Sequence, residues 1–154
     1  NIEAAQKYVE QAQKVGAKLP ETAANLGMIA LAKGDLQAAE NYISQATGAN
    51  GLSEVLGNLN LAKGNYAQAE QDFKDVYSNS AALAQILNKN YASAAVTLKY
   101  VKNADATTDY LKAILAARMG HNSDAAEALR AAIAKDPSYS KYAANDLELK
   151  NVAK

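Results

Sequence analysis

The chain repeats itself, and that constrains its fold more than any other feature. Residues 2–12 align with residues 36–46 without a gap, at a shift of 34 residues, and residues 26–35 align with residues 56–65 at a shift of 30. Weaker copies follow: residues 90–94 answer residues 65–69, and the segment from Gly120 answers the one from Gly34 through Ala125, Leu129, Ala132 and Asp136-Pro137. Self-similarity at such spacings marks a chain of small units, each unable to bury its apolar stripe until a neighbour stacks on it.

The repeated unit is helical. Alanine accounts for 35 residues, and the only prolines are Pro20 and Pro137, so helix formers dominate and breakers are few. No period-two run of β-branched and aromatic residues occurs between turn signals. The apolar pattern instead has helical period and is punctuated at Gly16, Gly34-Asp35, residues 48–51, Gly64-Asn65, residues 88–90, residues 103–105 and residues 120–122. These points predict about ten short helices.

Within this pattern the small residues have definite tasks. Gly27, Gly57, Ala39, Ala69, Ala94 and Ala125 let two helix axes approach closely. Gly34 and Gly64 follow apolar helical stretches, where a left-handed residue ends a helix and Asp35 or Asn65 caps the next. Asp136-Pro137 reads as N-cap and first residue of a final helix running through Tyr139, Tyr142 and Leu147. Lys141, Asp146, Glu148 and Lys150 then fall on its other faces and make it a solvating cap.

Charge and residue inventory exclude several functions. Sixteen basic residues balance sixteen acidic ones, and no Lys/Arg run exceeds two, so the basic footprint of a nucleic-acid binder is missing. Without cysteine there is no disulfide, thiolate metal site or cysteine nucleophile. No apolar stretch approaches the roughly 18 residues of a membrane span, so no membrane insertion is expected. His121, Ser123 and Asp124 are the residue types of a triad, yet one short turn cannot fold them into nucleophile, base and orienter. Glu70 with Asp72, and Asp146 with Glu148, lie two apart on expected helices and so face apart, against a carboxylate dyad or metal site. The expectation is a non-enzyme with no catalytic, cofactor or metal residues.

The repeats resemble the tetratricopeptide repeat family. Its small apolar residue and Gly in a first helix, Gly-Asp/Asn at the turn, then Ala, a large apolar residue and Ala in a second helix are matched by Leu26, Gly27, Ala30, Gly34, Asp35, Ala39, Ile43 and Ala46. Leu56, Gly57, Gly64, Asn65, Tyr66, Ala69 and Phe73 match again, as do Ala113, Ala116, Gly120, Ala125, Leu129 and Ala132. A copy with Ala82, Lys89, Asn90, Tyr91, Ala94 and Leu98 lacks the turn glycine. The resemblance implies an all-α, right-handed α-solenoid: one domain of about four helix-turn-helix hairpins, a leading unpaired helix and a C-terminal capping helix. The parts are 1–18 (second helix of a truncated repeat), 20–49, 51–77, a degenerate repeat 78–103, 106–136 and the capping helix 137–152. The unpaired first segment points to a fragment of a longer bacterial protein and to self-association through an open N-terminal end, or else to an N-terminal cap.

Such arrays act through the concave surface of their first helices. The resemblance places Asn25, Met28, Glu54, Asn58, Asn79, Leu83, Ile86, Tyr110, Ile114 and Arg118 there, as a groove for a peptide or partner domain. Asparagine amides both donate to and accept from a peptide backbone. The family's carboxylate clamp needs basic residues that the third first helix, residues 78–87, does not carry, so an extended peptide or the edge of a folded partner is expected. The alternative is a structural or glycan-binding segment of a larger bacterial envelope protein, with periplasm or cell envelope preferred over cytoplasm. Tyr66 with Tyr91, and Tyr8 with Tyr42, occupy equivalent repeat positions and read as packing. Tyr100, Tyr110, Tyr139 and Tyr142 have no such equivalence and are candidates for a sugar- or peptide-stacking patch.

Overall fold

A computed structural model of the chain describes residues 2–14, 19–150 and 152. These form ten α-helices and no strand: α1 (Ile2–Lys14), α2 (Pro20–Ala32), α3 (Leu36–Ser44), α4 (Leu52–Ala62), α5 (Tyr66–Asp72), α6 (Asn79–Leu87), α7 (Tyr91–Tyr100), α8 (Ala106–Arg118), α9 (Asn122–Lys135) and α10 (Tyr139–Asn145). Gly16, expected to punctuate the chain after the first helix, lies outside the described residues. The protein is all-α, and it forms two compact units, Asn1–Lys74 and Asp75–Lys154.

Each unit is built from helical hairpins: α2 packs on α3 and α4 on α5 in the first, α6 on α7 and α8 on α9 in the second. One turn makes all four. The amide of the second residue past the last helical turn reaches back five positions, in Asp35→Ala30, Asn65→Asn60, Asn90→Gln85 and His121→Ala116, at 2.8–2.9 Å. The residue before it is left-handed each time: Gly34, Gly64 and Gly120 at φ 78°, and Lys89 at φ 62°. This is the Schellman closure, which satisfies carbonyls a helix end leaves unpaired. The third hairpin keeps it without a glycine, so the degenerate copy is degenerate in sequence only.

The caps are less uniform than the sequence predicts. Asp35 accepts from the Ala38 amide at 2.9 Å as expected. Asn65 makes no such cap, and its side-chain amide donates instead to Asn60 Oδ1 at 3.3 Å. His121 is the N-cap of α9, and its side chain makes no cap hydrogen bond. On α8, Asp105 and Thr108 form a reciprocal capping box.

Close approach occurs where the small residues predict it. A Cβ on Gly57 would lie 2.7 Å from the Phe73 ring, and one on Gly27 would lie 2.7 Å from Ile43 Cγ1. Ala39, Ala69, Ala94 and Ala125 are fully buried. In the first unit the core joins Ala24, Ala30, Ala39, Ile43, Val55 and Leu59. In the second, one cluster links Ala82, Ile86, Ala94, Leu98, Leu111 and Leu115, and another links Ala113, Leu129, Ala143 and Leu149.

The C-terminal region departs from expectation. The final helix covers residues 139–145 instead of 137–152, since Asp136 turns its carboxylate back onto the Ser138 amide at 2.9 Å and delays the helix start. After Asn145 the chain breaks into turns, Leu147 is 85% exposed, and Leu149 is fully buried. Tyr8, expected to pack like Tyr42, is 73% exposed on α1, whereas Tyr42 packs against the first core.

Candidate functional site

In the first unit, α2 buries Thr22, Ala24, Leu26, Gly27 and Ala30, which leaves Asn25 and Met28 exposed on its opposite stripe. On the adjacent α4, Glu54 is exposed and Asn58 half-buried. Asn58 donates one side-chain N–H to the Glu54 carbonyl at 2.9 Å, which leaves its second N–H and its acceptor oxygen for other contacts.

In the second unit most of the groove residues expected from the sequence are engaged within the protein. Asn79 donates to Asp105 Oδ1 at 3.1 Å and accepts from Thr108 Oγ1 at 2.9 Å, which stitches the start of α6 to the start of α8. The Thr108 amide bonded to Asp105 holds the Asp105 carboxyl below the usual range, with the Asn79 bond adding to it against the opposing effect of burial. Leu83 is half-buried against the cluster around Ile86, and Ile86 is itself fully buried, so its side chain gives a ligand no surface. A helix closely packed on two sides leaves that position no open face.

Tyr110, Ile114 and Arg118 do share one face of α8, as their spacing requires. That face is covered by the segment after α10. The Tyr110 hydroxyl donates to Asp146 Oδ2 at 2.6 Å. Arg118 donates to Glu148 Oε1 through Nε at 3.1 Å and through a terminal nitrogen at 2.5 Å. Its other terminal nitrogen donates to the Ile86 carbonyl at 2.9 Å, which fixes the guanidinium. Leu149 sits in the same cluster as Ala113 and Leu129, with Tyr110 and Ile114 packed against it. Burying a leucine contributes roughly 1.5–3 kcal/mol, while the half-exposed Arg118–Glu148 pair contributes about 1 kcal/mol at most. Leucine is therefore the main anchor, and the polar contacts set register.

Asp146 and Glu148, expected to face apart on a helix, thus both turn toward α8. Asp146 achieves this by accepting the Glu148 amide on Oδ1 at 2.9 Å, a side-chain turn that replaces the helix. Burial, then the Asp146 hydrogen bond and charge, push the Tyr110 phenol well above its ordinary value, so it remains a donor. The Glu148 hydrogen bond outweighs burial and raises Arg118.

Three of the four candidate stacking tyrosines meet. Tyr110 and Tyr139 lie 4.9 Å apart between ring centroids, and Tyr139 and Tyr142 lie 5.7 Å apart. The Tyr139 hydroxyl bonds Thr107 at 2.7 Å. With Lys141, Asn145, Asp146 and Leu147 these rings line an open cleft of about 950 Å³, in which Tyr142 is 64% exposed. Tyr100 stands apart and packs edge-on against Tyr77 at 5.6 Å. His121 borders a second, smaller cleft of about 440 Å³ with Lys99, Lys112 and Met119, while Ser123 and Asp124 are exposed at the start of α9. Of the acidic residues, Asp72 accepts from Asn60 at 2.7 Å and Gln68 at 3.0 Å, as a structural anchor. Among the described residues no group of three or more His, Cys, Asp or Glu is placed to hold a metal ion.

No helix is long and apolar enough to cross a membrane among the described residues. The segment that covers this α8 face escaped the sequence reading, because Tyr110 and Asp146 are 36 residues apart and Arg118 and Glu148 are 30 apart. Comparison with protein-family models, curated proteins and solved structures gives no match.

Proposed function

We propose that the chain is a protein-interaction scaffold, a tetratricopeptide-like right-handed α-solenoid whose first-helix faces bind a peptide or partner segment. Repetition of contacts supports the architecture. Gln6 bonds Lys33 and, one repeat on, Glu40 bonds Lys63, so equivalent residues meet in successive repeats. The closures Gly27–Ile43 and Gly57–Phe73 are likewise equivalent. First helices also touch in sequence, α2 with α4 and α6 with α8, as stacked hairpins require.

The observation that carries the function is the α8 face, where Tyr110, Ile114 and Arg118 hold a short non-helical segment by one apolar anchor and two carboxylate contacts. A surface with these features suits peptide recognition, which supports the reading. Met28, Glu54 and Asn58 are the corresponding positions of the first unit, and Asn25 stands exposed beside Met28. The test is affinity capture from a lysate with the chain beside its Asn25→Arg/Asn58→Arg variant, both checked for equal thermal stability. A partner held by the first and lost by the second supports the reading; equal capture by both removes this face from it.

The glycan-binding alternative rests on the tyrosine cleft, whose rings and polar rim suit stacking against a sugar. Tyr142→Ala should abolish glycan binding there while leaving peptide capture intact, as read by parallel glycan-array and capture experiments.

A further inference from the structure

We infer that residues 146–149, Asp-Leu-Glu-Leu, are an internal stand-in for the ligand of the α8 face, and that this face takes a partner segment of the form Asp-x-Glu-Leu. The inference rests on the interaction-scaffold reading and names its partner class.

Three features set the recognised chemistry. The Tyr110 hydroxyl and the Arg118 guanidinium each contact a different carboxylate, Asp146 and Glu148, two residues apart. The Ile86 carbonyl also accepts from Arg118, so α6 contributes to orienting the guanidinium independently of the segment it binds. Between these polar points the fully buried Leu149 enters the cluster of Ala113 and Leu129, and Leu147 points to solvent. The occupant is therefore a turn, closed by Asp146 Oδ1 on the Glu148 amide, with acidic residues at its first and third positions and leucine at its fourth. A polybasic or purely apolar segment would leave Arg118 without a carboxylate partner.

A tethered segment competes with a partner at an effective concentration on the order of mM, so the free face is available only to a ligand that beats that value or is itself locally concentrated. The tail thus sets an affinity threshold for the site.

The experiment titrates the full, 15N-labelled chain with the unlabelled, end-blocked hexapeptide Asn-Asp-Leu-Glu-Leu-Lys, which has the sequence of residues 145–150. At a few mM peptide, amides 147–150 should move to unstructured shifts while those of Tyr110, Ile114 and Arg118 keep bound-like positions. Leu149→Asp cannot bury its anchor and should bind the same peptide about tenfold more tightly or better than the parent chain. The milder Glu148→Gln should fall between them and covers the case in which Leu149→Asp does not fold. A control peptide with Asp in place of the anchor leucine should leave every amide unmoved. No displacement in the parent chain together with no gain in either variant overturns the inference and makes the tail a permanent part of the core. A concentration-dependent dimer with exchanged tails also overturns it, by making a second copy the occupant. If partner capture remains sensitive to Asn25→Arg/Asn58→Arg while the peptide is inert, this inference fails and the scaffold reading survives; loss of both removes the scaffold reading as well.

Discussion

At the scale of the residue, backbone geometry and close contact decide which side chains the fold tolerates. Gly57→Ala gains about 1 kcal/mol of helix propensity, but its Cβ meets the rigid, fully buried Phe73 ring at 2.7 Å. Overpacking of this kind costs about 1–3 kcal/mol, so the net expectation is a lower urea midpoint at unchanged m-value. Lys89 presents the opposite case. It holds φ 62° in a turn where the other three hairpins use glycine. Removing its Cβ should relieve strain by more than the added freedom of the unfolded chain costs, and Lys89→Gly is expected to stabilise by about 0.5–1 kcal/mol in chemical denaturation. Asp109 carries a pH signature. Its largely buried carboxylate accepts from Lys112 at 2.9 Å and Lys135 at 2.7 Å. Burial alone would raise its pKa, yet the two lysines win and lower it below the usual 3.8. A lowered folded pKa means stability present above the unfolded value and lost as pH falls through the folded one. The parent chain should therefore lose stability below about pH 4. Asp109→Asn should be about 1–3 kcal/mol less stable at pH 7 and lose less between pH 7 and pH 3, as read by urea midpoints at the two values.

At the scale of the element, the four hairpins owe their form to one terminating turn, and their second helices all begin within two residues of its left-handed position. This is why helix positions were legible: the glycines at residues 34, 64 and 120 and the asparagines at residues 65 and 90 announce the turns through local chemistry. The tail was not legible by the same means. Residues 137–152 carry a proline and helix-compatible spacing, so local preference predicts one helix, but Asp136 and Asp146 each form a side-chain turn that shortens it. The buried Leu149 then anchors the segment on α8 and α9. Leu149→Ala should cost about 2–4 kcal/mol by thermal or urea denaturation, against at most about 1 kcal/mol for Glu148→Gln.

At the scale of the whole molecule, charge and helix content say what the separate elements cannot. Equal numbers of acidic and basic residues and an isoelectric point near 6.8 leave little net charge to keep copies apart at neutral pH. Solubility is expected to be lowest near pH 7 and to rise on either side, measured as the protein concentration remaining after precipitation. Of the ten expected groove residues, those in the first unit kept their exposed or half-exposed place, while Asn79, Ile86, Tyr110 and Arg118 of the second are engaged within it. Spacing alone assigns a residue to a helix face; it does not say what else lies on that face. Glycines, capping residues and apolar period act over one to five positions, so the sequence by itself determined an all-helical chain of hairpins and where each turns. The pairing of Tyr110 with Asp146 and of Arg118 with Glu148, and the burial of Leu149 in the cluster around Ala113, were decided only by tertiary structure, because they join residues of different elements whose meeting depends on packing and not on local preference.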